Sequence, residues 1–178
     1  MRQAGRLQDR DRRPQPGQGA QSAEALQQAL AAVGIQATLD VSDASLYFRS
    51  TIGSPDNVHK KGYGIMTAGW GPDWPAPYGF LQVLVDGRTI QASGNNNFSE
   101  LNDSEINSLI DKAKAEPDAK QSAEIWSQIN AKVMDTAALL PFVYDKALNY
   151  RNPRLTNVYV YKYFGEWDFA SLGVNDGK

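Results

Sequence analysis

The sequence contains no cysteine, which removes disulfides, thiolate metal sites and cysteine nucleophiles at once. It has one histidine, His59. A single imidazole with no thiol beside it gives no basis for a zinc site or a histidine-based catalytic triad. No apolar run approaches the roughly 20 residues needed to span a bilayer. Neither of the glycine-rich phosphate loops, GxxxxGK[ST] or GxGxxG, is present. No charge sign dominates: the net charge is −2, so nothing global draws the chain to nucleic acid or to an acidic membrane. Asp73, Glu166 and Asp168 could be imagined as a carboxylate pair for glycoside hydrolysis, but nothing in the sequence brings them together. An enzyme is therefore not expected, nor a metal or cofactor.

The 178 residues include 42% apolar and 10% aromatic side chains, enough for one real core. Charge is uneven along the chain. Residues 1–20, "MRQAGRLQDRDRRPQPGQGA", hold five arginines and two aspartates, a balance of +3. Residues 21–178 hold 13 basic and 18 acidic side chains, a balance of −5. The leader has Leu7 as its one large aliphatic residue, too little to offset the entropy of ordering, and it is expected to be a disordered basic segment. It also lacks the apolar centre of a secretory signal.

From residue 21 onward the pattern is regular. Leu26, Ala29, Leu30 and Val33 form one helical stripe, with Ser22 as the expected cap and Gly34 as the stop. "IQATLDV" alternates as a strand, a short helix is expected near Ala44–Ser50, a loop at Gly53–Pro55, and "YGIMTAGW" reads as a second strand. Pro77 opens a helix and Asp86–Gly87 makes a turn. Asn102 with Glu105 resembles a capping box for a helix carrying Ile106, Leu109, Ile110 and Ala113. Asp118 caps a second helix carrying Ile125, Trp126, Ile129, Val133 and Ala137, expected to run to Pro141. The short joint around Pro117 makes these two helices an antiparallel hairpin. "PFVYDKALNYR" and "TNVYVYKYF" read as strands, and Tyr159, Tyr161 and Tyr163 on one face are expected to pack against a sheet or against another lobe. His59, Lys112 and Lys114 are read as solvated. Asn95–Phe98 is a turn with a secondary claim to line a cleft, and the Asn97 and Asn102 sequons carry little meaning outside a eukaryotic secretory route.

The distinctive stretch is "AGWGPDWPAP", residues 68–77. It falls after an expected strand, where ligands of open α/β sheets collect. On local pattern alone it is a rigid turn whose indoles fill core.

In order, "SAEALQQALAAVGIQATL", "YGIMTAGWGPDWPAPYGFL", "NNFSELNDSEINSLIDKA" and "AEIWSQINAKVMDTAALLPFVY" resemble the carboxy-terminal part of family 5 extracellular solute-binding proteins, the peptide- and oligopeptide-binding components of ABC importers. The wording of "STIGSPDNVHKKGYG" resembles an actinobacterial member. The resemblance covers residues 21–178. It implies an α/β fold: a partial type II periplasmic-binding-protein-like lobe, part of a two-lobed clamp that closes on its ligand. Complete members are roughly three times this length, as expected of chains exceeding a single core. The implied partners are a peptide or other small solute and ABC permease subunits, with an extracytoplasmic location, although this chain shows no signal peptide. The implied ligand-binding residues are Asp73, Trp70, Trp74 and Gly71. Asp73 matches the aspartate that accepts a peptide's α-ammonium in the family's W-x-x-D motif. A closed cleft strips water from that ammonium, so a carboxylate acceptor and indole faces suit it. The competing reading is a non-transporting remnant or a binding module whose exposed aromatics hold carbohydrate or another chain. One lobe alone cannot enclose a ligand, and it is expected to leave an aromatic-rich surface uncovered.

Overall fold

The computed structural model describes residues 18–71, 74–144, 149–161 and 165–175. The leader, through residue 17, and Asp73 and Tyr163 lie outside them. The chain divides into two compact units, Met1–Leu46 and Tyr47–Lys178.

In the first unit, α1 spans Gln18–Ala32. It begins upstream of the expected Ser22 cap, because Pro16 is the last proline before it and Gln and Ala favour helix. Ser22 is therefore an interior residue. The helix stops where expected: Gly34 takes φ +86°, a left-handed conformation that glycine adopts without penalty. The amides of Gly34 and Ile35 then bond to the Ala31 and Leu30 carbonyls at 3.0 and 2.9 Å. The extended segment beyond is tied back by the Gln27 side-chain amide, which donates to the Ala37 carbonyl at 2.7 Å. Residues 35–41 form no ladder, and Ile35 and Val41 are exposed. The α2 turn, Ala44–Leu46, ends the unit.

The second unit starts with a π-helical turn, Tyr47–Thr51. α3 follows at Pro55–Lys61, between the loop expected at Gly53–Pro55 and the strand expected from Tyr63, a stretch where no helix was expected. Pro55 sits in its first turn and Gly62 closes it at φ +66°, a start and stop signal present in the sequence. α4 spans Tyr78–Val85 behind Pro77, and a 3₁₀ turn follows at Gly87–Thr89. α5 spans Ser104–Ala115 and α6 spans Ala119–Asp135. The cap of α5 is Asp103, whose carboxylate accepts from the Glu105 and Ile106 amides at 2.9 Å. Asn102, the expected cap, accepts instead from the Asn107 side chain at 3.0 Å. Asp118 caps α6 as expected, accepting from the Gln121 amide at 2.8 Å.

α5 and α6 are antiparallel: Lys132, near the end of α6, pairs with Glu105, at the start of α5, at 2.7 Å. Ile106, Ile110 and Ala113 meet Ile125, Trp126, Ile129 and Val133, and Val85 of α4 completes the buried cluster. The stripes expected from spacing are thus the core, except for Ala137, which lies beyond α6 and is exposed. α6 ends before Pro141 because Ala137 turns left-handed, φ +53°, and the Thr136 hydroxyl bonds the Val133 carbonyl at 2.7 Å.

The strand expectations fare differently. Residues 63–70 and 140–144 are irregular. Among the described residues, ladders form as two antiparallel pairs, β1 (Leu155–Thr156) with β4 (Gly173–Val174), and β2 (Val160–Tyr161) with β3 (Glu166–Trp167). Tyr159 and Tyr161 are exposed, as is Phe169: among the described residues no sheet covers them, in keeping with the aromatic surface that a single lobe is expected to leave uncovered. A strand needs a neighbour for its backbone groups. The helices need none, which is why they match the sequence expectation and the strands do not.

Candidate functional site

The loop of residues 68–77 is held from both sides. Upstream, the Tyr63 amide bonds the Val58 carbonyl of α3 at 3.2 Å. The Tyr47 hydroxyl donates to the Thr67 carbonyl at 2.7 Å. These contacts set the path of the chain into Trp70. The Trp70 indole N–H then donates to the Gly79 carbonyl at 2.9 Å, in the first turn of α4. Downstream, the Trp74 ring packs on Tyr78, with centroids 4.8 Å apart and planes inclined at 40°. Both indoles therefore fasten to adjacent residues of one helical turn.

The indoles do not fill core. Trp70 is half-buried and Trp74 is exposed. The buried tryptophan is Trp126. Gly71 is exposed, and a Cβ placed on it would meet nothing within 4 Å. Its glycine is not required by crowding, and its backbone is open to an incoming group. Of the four expected ligand residues, the structure brings Trp70 and Trp74 to one turn and leaves Gly71 beside them; Asp73 lies outside the described residues.

Lys114, read as solvated, places its ammonium over the Tyr78 ring, 5.6 Å from the centroid, within cation–π range. His59, read as a solvated loop residue, lies on α3, with its Nε2 2.9 Å from a Glu100 carboxylate oxygen. No simple spacing rule exposes either pair, since the partners are distant in sequence.

The polar loop after α4 is structural. Asp86 is buried and receives the Arg88 guanidinium in two bonds of 2.9 and 2.8 Å. Arg88 also reaches Asp111 of α5 at 2.6 and 2.8 Å. The Arg88 hydrogen bonds hold the Asp86 carboxyl below its ordinary value, overcoming the opposing effect of burial. Asn97 is fully buried: its side-chain amide donates to the Leu101 carbonyl at 2.8 Å, and its oxygen accepts from the Leu101 amide at 3.1 Å. Asn95 is buried too and bonds the Asn97 carbonyl at 2.7 Å. These residues satisfy one another and line no cleft. A buried, fully engaged Asn97 is also no glycosylation acceptor in the folded chain.

Among the described residues, no helix is long and apolar enough to cross a membrane, and no cluster of three or more His, Asp or Glu suits a metal ion. An open recess is lined by Asn149, Tyr150, Glu166, Trp167 and Phe169.

No protein-family model and no curated protein sequence matches the chain. Solved structures do. One is the clavulanic acid biosynthesis oligopeptide binding protein 2, which is 44% identical over 85% of this chain with a TM-score of 0.79. Another is HbpA2 from Haemophilus parasuis, 21% identical over 86% of this chain with a TM-score of 0.59, a likeness of fold alone. In both cases the chain spans 28% of the length of the solved protein. The fold is thus a mixed helix and sheet structure matching part of a solute-binding protein, a partial lobe of that architecture.

Proposed function

We propose that this chain supplies part of the ligand cleft of an extracytoplasmic solute-binding protein that serves an ABC importer, with a peptide as the favoured ligand. In this reading Asp73 accepts the peptide's α-ammonium, Trp70 and Trp74 flank it and keep water out, and Gly71 offers open backbone. The observation that carries the reading is the double fastening of the loop to α4, by the Trp70 N–H on Gly79 and the Trp74 ring on Tyr78. Indoles already seated before the ligand arrives lower the ordering cost of binding. The 44% identity to an oligopeptide-binding protein supports the same ligand class.

The test is a two-lobed chimera: that oligopeptide-binding protein carrying this chain's residues in place of its matching segment. Asp73→Asn keeps shape and removes charge. Breaking a buried ion pair costs about 3–5 kcal/mol and Asn recovers part of it, so affinity for a free-amine peptide falls roughly ten- to a thousandfold. The N-acetylated peptide binds the parent chimera weakly and loses little more in the variant. Equal calorimetric affinities of parent and variant for the free amine would return Asp73 to the role of a turn residue.

A further inference from the structure

We propose that Lys114 is a positioning residue for Trp74. Its ammonium seats the Tyr78 ring against which Trp74 packs. The inference rests on the reading above, in which the loop of residues 68–77 meets the ligand.

Three separate parts of the chain meet here: Lys114 from the last turn of α5, Tyr78 from the first residue of α4, and Trp74 from the loop. Tyr78 is the hinge of the arrangement. It packs against the buried α4–α6 cluster, so its ring is backed by rigid core. The Lys114 ammonium stands 5.6 Å from its centroid and the Trp74 ring 4.8 Å. An aromatic ring attracts a cation through its negative face and a second ring through an inclined or offset contact. One tyrosine thus couples a charge on α5 to the indole next to Asp73.

The position of Lys114 is itself set by the core. Its neighbour Ala113 is buried against α6, which fixes the rotation of α5. The nearest carboxylate on the same helix, Asp111, already accepts two bonds from Arg88, at 2.6 and 2.8 Å. Lys114 rests over the ring while its charge also favours the Asp111 carboxylate, and the side chain that looks like surface solvation belongs to the support of Trp74.

The experiment labels the full chain with 5-fluorotryptophan. The four tryptophans give four fluorine resonances, and Trp74→Phe identifies the one from Trp74. Lys114→Met keeps an unbranched stem and removes the ammonium; it should shift or broaden the Trp74 resonance while those of Trp126 and Trp167 stay in place. Lys114→Arg restores a cation and should restore the parent spectrum. A Trp74 resonance identical in Lys114→Met and parent overturns the proposal. In the two-lobed chimera, the preference for tri-alanine over N-acetyl-tri-alanine should narrow about two- to fivefold in Lys114→Met, the size of a partly exposed cation–π contact, and not in Lys114→Arg. A shifted resonance with an unchanged preference also overturns the positioning role, provided Asp73→Asn abolishes that preference. Where Asp73→Asn leaves the preference intact, the ligand reading fails and the fluorine spectrum alone decides whether Lys114 places Trp74.

Discussion

Two parts of the second unit carry large apolar side chains with opposite fates, and the one richer in them is the exposed one. In α4–α6, Val85, Ile110, Ile129 and Val133 are wholly removed from solvent. In residues 140–144, Leu140, Phe142 and Val143 are 82%, 71% and 65% exposed. Hydrophobicity does not separate them, but backbone hydrogen bonding does. A helix satisfies its own amides and is free to turn its stripe toward a neighbour a few residues away. A strand-forming segment reaches that state only when a partner pairs its edge. The α5–α6 hairpin carries its partner within itself, joined by Glu116–Asp118. Residues 140–144 have strand composition and no ladder.

The comparison breaks hardest at Ile129. Ile129→Ala leaves a cavity where α4, α5 and α6 converge and should cost about 2–5 kcal/mol. Urea unfolding followed by circular dichroism reads this directly as a lower midpoint at similar slope. A loss below about 1 kcal/mol would mean that this core is not the stabilising centre.

Asp86 sharpens it next, because the helical region also holds the buried charge. The Asp86 carboxyl titrates below its ordinary 3.8 in the folded chain because of Arg88. As pH falls the unfolded chain takes up the proton first, so this contribution is full above about pH 4 and is lost through the lower folded value. Asp86→Asn should flatten that acid limb and cost on the order of 1–3 kcal/mol at neutral pH. Stability curves from pH 7 to pH 2 for parent and variant make the measurement. An unchanged acid limb would remove Asp86 from the linkage.

The smallest effect belongs to the uncovered region. Phe142→Ser should change stability by no more than about 0.5 kcal/mol and should lower the binding of a hydrophobic dye. A loss like that of Ile129→Ala would show that residues 140–144 are packed in solution.

Much of the helical architecture was readable before any coordinates. Ile106, Ile110, Ala113, Ile125, Ile129 and Val133, the Asp118 cap and the Gly34 stop all follow from spacing and local chemistry. α3 was equally readable from Pro55 and Gly62, and was missed because the apolar pattern there is thin. At the candidate site, the sequence picked out Trp70, Gly71, Asp73 and Trp74 as a group. It did not show that the Trp70 N–H is used on Gly79, or that Lys114 lies over Tyr78.

The sequence by itself determined which faces of α5 and α6 are apolar, the Asp118 cap and the Gly34 stop, because those interactions span only three or four residues. The tertiary structure decided the rest. It buried Asn95 and Asn97 instead of placing them along a cleft, seated Arg88 between Asp86 and Asp111, and left residues 35–41 and 63–70 without ladders. Each of these outcomes depends on which polar group far along the chain arrives within about 3 Å, a proximity that no local pattern encodes.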